Sequence, residues 1–315
     1  MIGYMTNHLP SFTDDTFIEL APGVGTGHAP DVAWQALSTV PLVILVGVTG
    51  VGKSTTLQML RSNGFAFQLL PDRRELTDRL IISFLQRQAG ETPHHVTDRM
   101  ERFALTRRYR EQFPGGMSHA LSRILVLTGR APERVATTTS DTVETNQKGA
   151  TLHSWWFFDG LRGANEVCAA AELLPSARFI VLDAPDVVRV ERLLGRADRF
   201  DQVTLQPTDN AAKATAQNFA AIGVPEADGL FATEECARLL ALCKPPLGQG
   251  DVTVDDLRAK LKIVAEERRN YDPSRAWQTL QEIAPRRTLL IDTTKFNATA
   301  AAVHIGDWLH QSYDN

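Results

Sequence analysis

At 315 residues and 43% hydrophobic content, the chain can bury a core of its own without staples, as one large α/β domain with insertions or as two domains. A formal net charge of −4 argues against nucleic acid as a partner, because that binding needs a basic surface. Cys168, Cys236 and Cys243 have neither C-x-x-C spacing nor a nearby histidine pattern, which excludes a disulfide framework and a zinc site as organising features.

The N-terminus carries Asp14, Asp15 and Glu19 where a secretory leader would be basic and then apolar, and no segment is long enough to span a bilayer. The sequence therefore predicts a soluble, unexported protein of the reducing cytoplasm, with no membrane partner. Residues 1–40 read as an extension ahead of the core, broken by Pro10, Pro22 and Pro30. Its run Gly23-Val24-Gly25-Thr26-Gly27 follows no convincing strand, so it predicts a flexible connection rather than a dinucleotide fingerprint.

Pro41 to Val46 is a short apolar run rich in branched residues, which suits a parallel strand buried on both faces. Gly47-Val48-Thr49-Gly50-Val51-Gly52-Lys53-Ser54-Thr55 follows, and then a helix over 53–61 stopped by Asn63-Gly64. The spacing GxxxxGK[ST] between a strand and a helix makes an anion nest. Glycines turn successive amides inward, and the helix start adds unpaired N–H groups and the positive end of its dipole. The backbone of Gly47, Thr49, Gly50, Val51, Gly52, Lys53, Ser54 and Thr55 is predicted to hold a nucleotide triphosphate. Lys53 would neutralise the β and γ phosphates, and Ser54 would complete the coordination of Mg2+.

A second strand is expected over 65–70, ending at Pro71-Asp72. Asp72 stands at the sheet's functional edge as a candidate base, or equally as a helix cap. From there to 150 the chain is mostly helical and rich in arginine. Arg99, Arg102 and Arg110 would share a helix face that either receives an anionic substrate or is a solvated face paired with Glu101 and Glu111. Ile124 to Leu127 fits a strand or a buried helix turn.

The aromatic run Ser154 to Gly160 predicts a strand ending in Asp159, which would face the Mg2+ held by Ser54 or else cap the next segment. Further strands are expected over 177–183 and 288–292. A basic helix with Arg189, Arg192, Arg196 and Arg199 follows the first of these, and a terminal helix with Val303, Trp308 and Leu309 follows the second. Residues 202–286 read as an insertion, with helical signals near 211–221, 233–242 and 254–269. Repeated strand and helix units make a parallel sheet covered on both faces the expected architecture.

Taken in order, these segments resemble the P-loop kinase group that includes the nucleoside monophosphate kinases. Phe158-Asp159-Gly160-Leu161-Arg162 is similar to the DGFPR segment of adenylate kinases, Arg192-Leu193-Leu194-Gly195-Arg196 to the R-L-x-G-R that opens their lid, and Ile291 to Thr294 to their last strand and base loop. The resemblance implies an α/β P-loop fold of three α/β/α layers over 41–315. Its sheet would be mostly parallel and five-stranded, with 71–150 as the acceptor or cap region and 202–286 as a lid-proximal helical insertion. It also implies ATP and Mg2+ as cofactors, Ser54 and Asp159 at the metal, and Arg192 and Arg196 closing over the transferring phosphoryl group. Ordinary surface pairing with Glu191 or Asp198 is the other reading of those two arginines. Here Gly163 follows Arg162, a departure from the adenylate kinase pattern, so recognition of a nucleoside monophosphate is not carried over.

The expected activity is ATP-dependent phosphoryl transfer to a small molecule or nucleotide. The alternative is a nucleotide-dependent regulatory ATPase or switch acting on a partner protein, or a non-catalytic nucleotide sensor. The absence of an NKxD segment disfavours a GTPase, and the absence of an LSGGQ-like segment disfavours a transporter ATPase.

Overall fold

The computed structural model describes residues 16–129, 155–195, 218–243 and 252–311. The glycine run expected to be a flexible connection is part of a sheet instead. Strands β1 (Ile18–Ala21) and β2 (Val24–Thr26) form an antiparallel hairpin, and β2 pairs in turn with β6 (Ile124–Leu127), which also pairs with β3 (Trp34–Ala36). Pro22-Gly23 makes the hairpin turn. Proline fixes φ at the first central position, and Gly23 supplies the positive φ, 78°, at the second. Pairing with β2 and β3 settles Ile124 to Leu127 as a strand.

Strands β4 (Leu42–Val46), β5 (Phe67–Leu69), β7 (Trp155–Leu161), β8 (Ala177–Asp183) and β9 (Thr288–Asp292) form a second sheet, all parallel, in the order β5-β7-β4-β8-β9. All five residues of central β4 are buried. Leu42, Ile44 and Val46 join one apolar cluster while Val43 and Leu45 join another, because successive strand side chains point to opposite faces.

Helices cover both faces of this sheet. Leu57 and Leu60 of α1 (Lys53–Ser62) share a cluster with Val43 and Leu45. The chain then passes through α2 (Arg73–Leu76), a π-helical turn Thr77–Ile82, α3 (Ser83–Gln88), α4 (Arg99–Gln112) and α5 (Met117–Leu121). These helices bury Leu76, Leu80, Tyr109 and Leu121 in the other cluster, together with Val167 and Ala170 of α6 (Ala164–Leu173) and Leu20 and Val126 of the small sheet. At about 1.5–3 kcal/mol per fully buried large apolar side chain, these two clusters supply the main favourable term holding the sheet between its helices.

A third cluster joins Val187, Val190 and Leu193 of α7 (Asp186–Leu194) to residues 218–243 and 252–264, including α8 (Thr233–Ala241) and α9 (Val254–Asn270). Thr253 and Asp256 cap α9 reciprocally, and Leu257, Leu261 and Val264 form its buried stripe. Helices α10 (Pro273–Ile283) and α11 (Ala298–Gln311) return to opposite faces of the parallel sheet, with Leu280 in one cluster and Ile305 in the other. No helix among the described residues is long and apolar enough to cross a membrane.

Candidate functional site

The parallel strands end on one edge, and the loop from Gly47 to Gly52 opens there between β4 and α1. Gly50 and Gly52 have φ of 88° and 98°, which favours glycine, and a Cβ on Gly50 would lie only 3.1 Å from the Arg189 carbonyl. The loop is thus pressed onto α7, and two of its amides are bonded within the protein, Gly47 N–H to the Leu161 carbonyl and Thr49 N–H to Glu267. Ser54 and Thr55 are exposed in the first turn of α1, where helical N–H groups have no partner one turn back.

Lys53 curls over the loop. Its Nζ donates to the carbonyls of Gly47, at 2.9 Å, and Val48, at 3.1 Å, and lies 3.7 Å from Asp159 Oδ1. Burial pushes the amine pKa below its ordinary value, and the Asp159 carboxylate opposes that shift.

Asp159 is not the end of its strand, as the sequence suggests. It stands opposite Leu45, and β7 continues through Gly160 to Leu161, with a register shift that places Leu161 opposite Val46. Gly47 N–H then donates to the Leu161 carbonyl, which ties the loop to β7. Oδ1 of Asp159 is buried without a hydrogen-bond partner. A buried acceptor left so costs about 1–3 kcal/mol, more when charged, so this oxygen fits a bound cation. Among the described residues no group of three or more His, Cys, Asp or Glu could hold a metal ion. A Mg2+ here would rest on Asp159, the Ser54 hydroxyl and ligand oxygens, the donor set hard cations take.

Behind the loop lies a charged network that sequence reading missed. The Thr49 amide and hydroxyl donate to Glu267, at 3.0 Å to Oε2 and 2.6 Å to Oε1. The same carboxylate accepts from Arg162 Nη1 at 2.8 Å and from Arg189. Arg189 also donates Nε to the Thr49 carbonyl at 2.8 Å and Nη1 to Asp186 at 2.5 Å, and Asp186 accepts from Arg268. Arg189 is 1% exposed and Glu267 8%, so removing one partner would strand the other, at about 3–5 kcal/mol. The available signal was Glu267 three residues beyond Val264, a carboxylate continuing the buried stripe of α9.

Arg192 donates Nη1 to the Thr293 hydroxyl and Nη2 to the Thr293 carbonyl, both at 2.8 Å, and its Nη1 lies 3.4 Å from the Gly50 carbonyl. It therefore bridges the glycine loop and the turn after β9. Beside it, hydrogen bonds from the hydroxyl and amide of Thr294 and from Lys295 hold the Asp292 carboxyl down to about 2. Arg196 and Arg199 lie outside the described residues.

Asp72 caps α2, accepting from the Glu75 amide at 2.8 Å, so the capping alternative is realised. It also lines an open cavity of about 490 Å³ with Arg74, Asp78, Arg79, His94 and His95. Neighbouring Arg73 donates to the Gly160 carbonyl and pairs with Glu166, which seats that cavity's rim against β7 one residue from Asp159. On α4, Arg102 pairs with Asp78 rather than Glu101, and Arg107 pairs with Glu111. The side chain of Arg99 is not among those described, and Arg110 packs its stem against Gly116.

No protein-family model matches the sequence, and no curated protein matches it.

Proposed function

We propose that the chain is a Mg-ATP-dependent phosphotransferase of the P-loop kinase type, acting on a small molecule or nucleotide in the cytoplasm. The observation that carries this reading is the placement of Lys53, its Nζ on two loop carbonyls and 3.7 Å from the orphaned Oδ1 of Asp159. An ammonium beside a glycine loop and a helix start supplies the positive charge that a transferring phosphoryl group needs, and the unsatisfied carboxylate oxygen suits a ligand of its Mg2+.

On binding, the loop amides from Gly50 to Thr55 would take the phosphate oxygens, and Lys53 would exchange its carbonyl partners for them. Asp159 and Ser54 would hold Mg2+, which supplies further neutralisation of the phosphates. Arg192 would supply a cation at the rim, already held beside the loop by Thr293. The acceptor would enter from the cavity beside Asp72, whose mixed charge suits a polar molecule.

A metabolite screen tests the proposal. An acceptor should accelerate ADP release from MgATP and gain a phosphate by mass spectrometry. One observation favours a second reading, a regulatory ATPase: Glu267 ties the insertion directly to the loop. Slow hydrolysis unchanged by every acceptor would favour that reading.

A further inference from the structure

Resting on the nucleotide reading, we propose that Glu267 is a positioning residue for the nucleotide site, fixing Thr49 and Arg162 so that the helix Val254–Asn270 becomes a working part of the loop. The carboxylate's four donors are the Thr49 amide, the Thr49 hydroxyl, Arg162 and Arg189, which belong to the glycine loop, the segment after β7 and α7. The insertion has a second attachment, since Leu257, Leu261 and Val264 share an apolar cluster with Val187, Val190 and Leu193 of α7.

What Glu267 adds is control of one residue of the loop. The Thr49 N–H and hydroxyl are held by Glu267, and its carbonyl by Arg189 Nε. With that residue clamped from behind, the following amides face the nucleotide without reorganising, the condition under which fixed dipoles are most effective. The clamp places no net negative charge behind the phosphates: Glu267 and Asp186 face Arg162, Arg189 and Arg268, two carboxylates against three guanidiniums. Tyr271 flanks Arg162, with the guanidinium 5.9 Å from the ring centre, and steadies it on the same side.

The test titrates MgATP calorimetrically into the full chain and its variants, below their melting temperatures. Thr49→Val removes the hydroxyl bond while leaving the buried ion pairs intact, and should weaken MgATP binding about ten-fold, the scale of a hydrogen bond to a charged group. Thr49→Ser should restore affinity to within about two-fold. Glu267→Gln should weaken binding at least as much as Thr49→Val, and the double variant should be little worse than Glu267→Gln alone. Variants that melt lower yet bind MgATP like the parent would overturn the proposal, as would Thr49→Ser behaving like Thr49→Val. If Glu267→Gln fails to fold, the two Thr49 variants decide. A parent chain that does not bind MgATP would sink the nucleotide reading and this proposal with it, which separates the two failures.

Discussion

Lys53 sits between competing partners, two carbonyls and one carboxylate, inside a setting that lowers its pKa. A charge held in reserve this way gains most when phosphates arrive, so Lys53→Ala should abolish MgATP turnover, read as ADP release; full activity in the variant would remove the loop from the mechanism. A second residue gives a pH signature. Burial pushes His119 down to about 4, Arg123 acting in the same direction, and Tyr109 Oη lies 2.9 Å from its Nδ1. The native state keeps this ring neutral while the unfolded chain binds a proton below about 6.5, so stability present above that pH is lost as pH falls toward 4. Melting curves should fall between pH 7 and pH 5, and His119→Gln should flatten that fall; parallel curves would refute the assignment. Lys53 and Asp159 were readable because their motifs are local. Glu267 and Arg189 were not, because their pairing spans 78 positions and depends on how α7 and α9 dock.

At the scale of elements, legibility followed length and pattern. The strands over 177–183 and 288–292 form over the residues their apolar runs mark, and α1 starts at Lys53. The N-terminal hairpin was missed because its strands have four and three residues, too few for alternation to register, and Pro22-Gly23 reads equally as a turn and as a break. Ile124 to Leu127 could not be resolved alone, since its partner strands lie about a hundred residues earlier in the chain. Asp72, which the sequence offers as a base or a cap, caps α2 through Oδ1. The loop itself yields a sharp expectation: Gly50→Ala combines φ of 88° with a Cβ 3.1 Å from Arg189 atoms. It should displace the loop from α7 and weaken MgATP binding, measured by titration, well beyond the effect of an alanine elsewhere on the surface; unchanged affinity would show that the loop's seat on α7 is irrelevant to binding.

For the molecule as a whole, the parallel sheet gathers the ends of β4, β7, β8 and β9 on one edge. The third apolar cluster hangs the insertion on α7, whose Arg189 and Arg192 reach the loop from behind and from the rim. A ligand that binds only the folded state stabilises it by about 2.7 kcal/mol at a hundred times its Kd. For a chain of this size, MgATP at that excess should raise the melting temperature by roughly 4 °C. The most direct measurement is calorimetric titration of MgATP into the full chain beside Lys53→Ala. Saturable one-to-one binding that the variant loses is the predicted result; equal binding by both chains, or none by the parent, would contradict it.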